Sequence, residues 1–298
     1  MTAAITALRS IEMGVTDMES ATQFYSGAWG LSVVHRSADA VYLRATGADF
    51  YVLGLHRRPT AALLRFDLRT STKTAVDQLH KAVVAAGATA LSRPAPLDAP
   101  GGGYGFDLRD LEGRTIRILA RDERHADTAD DTDRPRKISH LVLDSSDREG
   151  AFFRNVLGFK LSDQTGRITF LRCHSDRKAD HHSIALYKAE HAGFNHVAFE
   201  MPNLDGVMRG AGRLRDAGYP IEWGVGRHGP ANNVFSYFLG PDDYVIEYTS
   251  DVDQVDDSYK VGTPEDWKWP PKRIDRWGIH YGPTEKFGQA EGKIRFAA

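Results

Sequence analysis

FNHVAFE, residues 194–200, decides how this chain of 298 residues is read. Phe194, Val197, Ala198 and Phe199 give the stretch the apolar continuity of a buried strand, and one histidine, His196, stands among them. An unpartnered polar group in apolar surroundings is costly, so this imidazole is either a hydrogen-bonded core group or a ligand. Beyond the strand, MPNLDGVMRGAGRLRDAG reads as a helix closed by a glycine.

The same order occurs earlier. ALLRFDLRTSTKTAVDQLHKAVVAAG, from residue 62, is a strand, a helix from about Thr72 to Ala86 and a closing Gly87. KISHLVLD (137–144) matches SIEMGVTD (10–17), LGFKLSD matches WGLSVVH, and GPDDYVIEYTS matches RDLEGRTIRILAR. In the first half a strand over 5–15 leads to a helix ending near Ala28, with Thr16 and Glu19 in a capping-box pattern; Ser146 and Glu149 repeat the pattern in the second half. LSVVHR, AVYLRA and DFYVLGL follow as short strands, then LLRFDLR, YGFDLRD and RTIRILA. The fold expected is α+β, with tandem βαβββ modules, two per half, and two mixed sheets. The domains expected are 1–122, a polar linker at 123–136, 137–250, and a tail at 251–298. The tail packs Trp267, Trp269 and Trp277 around two prolines, too aromatic for a disordered extension, and suits a lid or a subunit contact.

Composition excludes several partners. A formal net charge of −2 with interspersed signs offers no basic stripe for nucleic acid or an anionic membrane surface. The single cysteine, Cys173, rules out a disulfide framework and a thiolate zinc site and points to a reducing cytoplasm. No apolar run is long enough to span a bilayer, and the amino terminus lacks a signal-peptide pattern.

Laying one half on the other separates the two readings of His196. On the matches above, His140 falls opposite Met13, His196 opposite Leu63, and Glu247 opposite Arg117. Ligand-type residues then exist in one half only, as duplication followed by specialisation would leave them. Two histidines and one carboxylate form a facial set that keeps positions open on an octahedral ion, the usual arrangement for non-haem Fe(II). Mn(II) shares the ligand set, and zinc is the weaker choice.

SHLVLD, FNHVAFE, YVIEYT, HHSIAL (181–186) and GRHGPANNVFSYFLGPDD (226–243) together resemble the type I extradiol ring-cleaving dioxygenases of the vicinal oxygen chelate superfamily. The resemblance implies that His140, His196 and Glu247 hold Fe(II), that His182 lies near bound dioxygen, and that His228 and Tyr237 hydrogen-bond the substrate. His181 should face away from the pocket if the segment is a strand. The resemblance further implies Asn233 in the pocket wall, and Trp223 and Ile274 where the homoprotocatechuate branch has substrate-binding arginines. The expectation is therefore meta cleavage of a catechol lacking a carboxylate tail, with dioxygen as co-substrate, to a 2-hydroxymuconic semialdehyde type product, in a cytoplasmic homo-oligomer. Rival readings are a glyoxalase-like isomerase, an epoxide-opening metalloenzyme, or a binding protein of the bleomycin-resistance kind.

Overall fold

Four times along the chain a strand leads through a helix into shorter strands, and each successive pair of these units closes into one mixed sheet. A computed structural model describes residues 3–128, 131, 133–147, 150–270, 273–278 and 282–297. The first half contains β1 (Ile5–Val15), α1 (Met18–Gln23), β2 (Ser32–Arg36), β3 (Ala40–Arg44), β4 (Leu53–Arg57), β5 (Ala62–Thr70) and α2 (Lys73–Ala85), then β6 (Thr89–Ala90), β7 (Ala95–Pro96), β8 (Tyr104–Arg109) and β9 (Thr115–Ala120). The second contains β10 (Lys137–Ser145), α3 (Ala151–Asn155), β11 (Lys160–Gln164), β12 (Ile168–Arg172), β13 (Ala179–Asp180), β14 (Ile184–Lys188), β15 (Gly193–Glu200) and α4 (Leu204–Asp216), then β16 (Trp223–Arg227), β17 (Val234–Leu239) and β18 (Val245–Ser250). β19 (Gln254–Val255) and α5 (Glu285–Ala290) belong to the tail.

The strand order is β2-β3-β4-β1-β5-β9-β8-β6 in one sheet, with β7 on β8, and β11-β12-β14-β10-β15-β18-β17-β16 in the other. In each, two modules meet at a central antiparallel pair, β1 with β5 and β10 with β15. The buried faces carry continuous apolar side chains, as strands covered on both sides require. Helices lie close on the sheets: a Cβ on Gly210 of α4 would stand 2.7 Å from the Tyr248 ring, so glycine is what lets helix and sheet approach.

The halves share a core. Trp29, just after α1, stacks on Tyr248 of the second sheet with centroids 3.9 Å apart, and the Tyr248 hydroxyl donates to the Trp29 carbonyl at 2.5 Å. Tyr244 donates to the Gly14 and Ala62 carbonyls, each at 2.8 Å. The tail joins them again: Phe194 N–H donates to Ile294 O at 3.0 Å and Leu63 N–H to Arg295 O at 2.9 Å. On its way it pairs β19 with β13 and places α5 against β17.

Several local expectations need correction. Asp17, one residue beyond Thr16, caps α1 and accepts from Glu19 N–H and Ser20 N–H at 3.1 Å, while Thr16 bonds to Asp242 instead. Ser146 donates to Glu112 across the halves, and Glu149 lies outside the described residues. The run DFYVLGL yields a strand only from Leu53, since Tyr51 turns inward to donate to Glu12 at 2.5 Å.

The half-to-half register also shifts. β1 is irregular between Leu8 and Ser10 and again between Glu12 and Met13; β10 is irregular between Ile138 and His140 and between Val142 and Leu143. Superposing these irregularities pairs His140 with Ser10, because Ser10 faces Asp67 where His140 faces Ala198. Glu12 faces Arg65 where Val142 faces His196, so the counterpart of His196 is Arg65 and not Leu63. Asp67 faces Arg117 where Ala198 faces Glu247, leaving that pairing as read. Each bulge adds a residue to one strand, and apolar alternation cannot count it.

The first half therefore holds charge where apolar side chains were expected. Arg65 reaches Glu12 at 3.1 Å and Asp67 at 2.7 Å, both carboxylates nearly inaccessible, with Arg9 3.6 Å from Asp67.

Candidate metal centre

His140 on β10, His196 on β15 and Glu247 on β18 come from adjacent strands, so their side chains project to one face of the second sheet. Their ligand atoms all lie within 4.8 Å of one another. Glu247 Oε2 is 3.2 Å from His140 Nε2 and 3.3 Å from His196 Nε2. All three residues are buried, Glu247 completely.

Outer hydrogen bonds turn the imidazoles the right way for coordination. His196 Nδ1 lies 2.8 Å from Asn195 Oδ1, and Asn195 Nδ2 donates to Asp144 Oδ1 at 3.0 Å. With its amide fixed by Asp144, Asn195 accepts the Nδ1 proton and leaves Nε2 as a lone pair. His140 Nδ1 lies 3.2 Å from Ser139 Oγ, which serves it in the same way. His196 Nε2 and Glu247 Oε1 are buried with no hydrogen-bond partner. Unpartnered ligand atoms this close together are what a cation would satisfy, so the residues present fit a metal ion. Burial would raise the Glu247 carboxyl pKa, and without a cation from outside only protonated His140 and His196 would outweigh it and hold the group well below the usual carboxylate range.

A cavity of about 530 Å³ is lined by His140 and His196 of this triad. Every other residue singled out from the sequence lines it: His182, His228, Tyr237, Trp223, Asn233 and Ile274. His182 packs on His140 with ring centroids 4.2 Å apart. His228 Nε2 is 3.1 Å from the Tyr237 hydroxyl, and His228 stacks on Phe235 at 4.0 Å. Trp223 stacks on Tyr237 at 5.0 Å, with Phe287 of α5 edge-on behind both. Asn233 Nδ2 donates to Thr249 at 2.8 Å.

Burial sets the charge states around the cavity. Desolvation pushes the His228 imidazole down to about 4, despite the opposing pull of Glu247. Desolvation likewise drives His182 well below its ordinary value, and desolvation with the Glu247 charge drives the Tyr237 phenol well above its own. His182 and His228 are therefore neutral at neutral pH, and Tyr237 keeps its proton.

The tail takes part in the cavity, with Trp267, Trp269, Ile274, Pro283, Phe287 and Glu291 among the lining residues. A Cβ on Gly229 would meet Trp269 at 2.9 Å, so the indole lies directly on the loop carrying His228. Sequence reasoning passed over Asn195 and Asp144, although an Asn beside a ligand histidine is a local signal. It also placed His181 away from the cavity without finding its contact to His182, 3.2 Å between Nδ1 atoms.

Two tandem sheets of this topology, one carrying a two-histidine, one-carboxylate centre, define a vicinal oxygen chelate metalloprotein. Residues 125–248 match the Glyoxalase/Bleomycin resistance protein/Dioxygenase superfamily model, and residues 10–119 match a glyoxalase-like domain model. A Mn(II)-bound glyoxalase structure from Novosphingobium aromaticivorans is 37% identical, with TM-score 0.87, covering 95% of this chain and 94% of that one. The chain belongs to this superfamily.

Among curated relatives, metapyrocatechase 2 of Cupriavidus necator is 33% identical over 165 residues, 54% of this chain and 46% of that protein. A manganese-dependent 2,3-dihydroxybiphenyl 1,2-dioxygenase of Geobacillus genomosp. 3 is 26% identical over 120 residues, 40% of this chain and 38% of that one. The matched stretches thus span less than half of either relative. Homoprotocatechuate 2,3-dioxygenase from Arthrobacter globiformis, at 20% identity and TM-score 0.85 over 100% of this chain and 94% of that one, shares the fold. The likeness to extradiol dioxygenases carried by the sequence motifs is thus matched among these relatives. Among the described residues, no helix is long and apolar enough to cross a membrane.

Proposed function

We propose that the protein cleaves the ring of a catechol beside one of its hydroxyls, using dioxygen and a divalent metal, Fe(II) in preference to Mn(II), held by His140, His196 and Glu247. The observation that carries this reading is the pair of unpartnered atoms, His196 Nε2 and Glu247 Oε1, in a cluster whose two histidines line an aromatic cavity. Bound there, the ion would offer adjacent open positions to two catechol oxygens and to dioxygen.

The chain's own residues do the rest. Tyr237 and His228, one protonated and the other neutral, hold a catechol hydroxyl and share its proton. Trp223, Phe287, Trp267 and Trp269 shut out water and grip the ring by its faces. His182 lines the same cavity, packed on His140. Trp223 and Ile274 present no cation to a carboxylate tail. Arg167, the guanidinium on the cavity rim, is exposed, and an ion pair there gains little. The cavity exceeds the volume of a single ring, which favours alkyl- or aryl-substituted catechols as the small aromatic diol partner.

The 37% identity to a protein named a glyoxalase favours a second reading, a Mn(II)-dependent isomerase of the same superfamily. Anaerobic loading with Fe(II), followed by substituted catechols and dioxygen, separates the two. Oxygen uptake with a coloured ring-fission product is expected; no uptake with any catechol by fully iron-loaded protein would sink the proposal.

A further inference from the structure

Behind His182 the interior holds a chain of polar side chains that the reaction as described does not use. His181 and Asp163 are both completely buried. His181 Nδ1 lies 3.2 Å from His182 Nδ1, and His181 Nε2 lies 2.7 Å from Asp163 Oδ2. Tyr259 donates to the same oxygen at 3.1 Å, and Gly262 N–H donates to Oδ1 at 2.6 Å. The His181 backbone is pinned as well, its N–H donating to Asp253 O at 2.8 Å. Phe170 meets the rings of both histidines edge-on, which leaves them little freedom to turn.

We propose that His181 and Asp163 are positioning residues that fix the proton of His182 on Nδ1, so that His182 presents Nε2 to the cavity as an acceptor. An ionised carboxylate only accepts, so His181 must carry its proton on Nε2. A neutral His181 then has only a lone pair at Nδ1, and the nitrogen 3.2 Å away must supply the hydrogen. His181, with Asp163 of β11 and Tyr259 and Gly262 of the tail behind it, thereby sets the tautomer of one ring, as a buried carboxylate does for the histidine of a hydrolase triad. For the reaction proposed above, His182 enters as the group that receives a proton rather than as a ready donor to dioxygen.

Replacing Asp163 by asparagine inverts the chain. Gly262 N–H keeps the amide oxygen, so the amide NH2 faces His181 Nε2 and turns it into an acceptor. His181 then donates from Nδ1, and His182 must move its proton to Nε2. The test is long-range ¹H–¹⁵N correlation of the histidine side chains in metal-free protein, so its outcome does not depend on whether catechol is the substrate. The proposal expects Nδ1–H for His182 in the unmodified chain, Nε2–H in Asp163→Asn, and a mixture in His181→Phe. In the iron-loaded enzyme, Asp163→Asn should lower kcat at least about tenfold with KM within about twofold. Nε2–H on His182 in the unmodified chain overturns the proposal outright, even if neither variant folds. The same tautomer in both proteins also overturns it. Correct tautomers with no catechol turnover would leave this inference standing and remove only the dioxygenase reading.

Discussion

Replacing Arg65 by methionine tests whether a guanidinium does in the first half what a metal would do in the second. Arg65 stands 3.1 Å from Glu12 Oε1 and 2.7 Å from Asp67 Oδ1, and those residues are 2% and 1% exposed. Methionine keeps most of the packing volume and leaves both carboxylates with weaker partners: Tyr51 and His56 for Glu12, and Arg9 at 3.6 Å with Ser10 at 3.2 Å for Asp67. Breaking a buried ion pair from one side costs about 3–5 kcal/mol, and the partners that both carboxylates keep place this site at the lower end. The cost should also depend on pH. Burial raises the Asp67 pKa, but Arg65, Arg117 and Arg9 hold it below its ordinary value. That depressed carboxyl contributes stability above the unfolded pKa, lost as pH falls through the folded one. Without Arg65 the burial effect gains weight, the folded carboxyl takes up a proton more readily than the unfolded chain, and the penalty shrinks as pH falls from 7 toward 5. Urea unfolding of metal-free protein at both pH values measures this, with metal content per folded molecule as the control. A loss below about 1 kcal/mol at pH 7, a penalty that grows in acid, or metal loss from folded variant would refute the reasoning.

Four shorter predictions concern the second half. His196→Ala should abolish metal retention while the chain still folds, as metal analysis after gel filtration and circular dichroism would show. Asn195→Ala removes the acceptor that fixes the His196 tautomer and should weaken metal affinity about 10–100-fold, read by competition with a chelator. Gly229→Ala forces a Cβ against Trp269 and Trp267 and should raise the catechol KM by roughly tenfold, with metal content unchanged. His228, at about 4 in the folded protein, takes up its proton later than it does in the unfolded chain as pH falls. The His228 contribution to the stability of metal-free protein should therefore be lost between about pH 6.5 and 4 and level off below, and His228→Gln should reduce the slope over that range in urea titrations.

The double βαβββ order was legible because hydrophobic periodicity, capping residues and closing glycines recur in both halves. His140, His196 and Glu247 stood out as ligand types in apolar strands. His182, His228 and Tyr237 were legible only through the family resemblance, since a histidine opening a strand or a tyrosine within one is ordinary core material. The half-to-half register was not legible: three irregularities in the β1–β5 pair and two in the β10–β15 pair shift the count, and Leu63 took the place that belongs to Arg65. Asp163 escaped notice for a related reason. Its partners, His181, Tyr259 and Gly262, lie 18, 96 and 99 residues away, and no local pattern links them.

The corrected register changes why the asymmetry points to a metal. Against Leu63 and Met13, the histidines of the second half looked like polar additions to an apolar template. Against Ser10, Arg65 and Arg117, the two halves pose one electrostatic problem with different answers. Each places carboxylate at the centre of its sheet: Glu12 and Asp67 in the first, Glu247 in the second. A buried carboxylate stays ionised only beside a cation or a set of donors. In the first half Arg65 supplies that cation from the very position of His196. In the second, the position holds an imidazole whose Nε2 is left without a partner, and among the described residues the cavity lining offers no buried lysine or arginine to Glu247. A cation from outside the chain completes the second half as Arg65 completes the first, and an ion, unlike a guanidinium, leaves positions open for substrate.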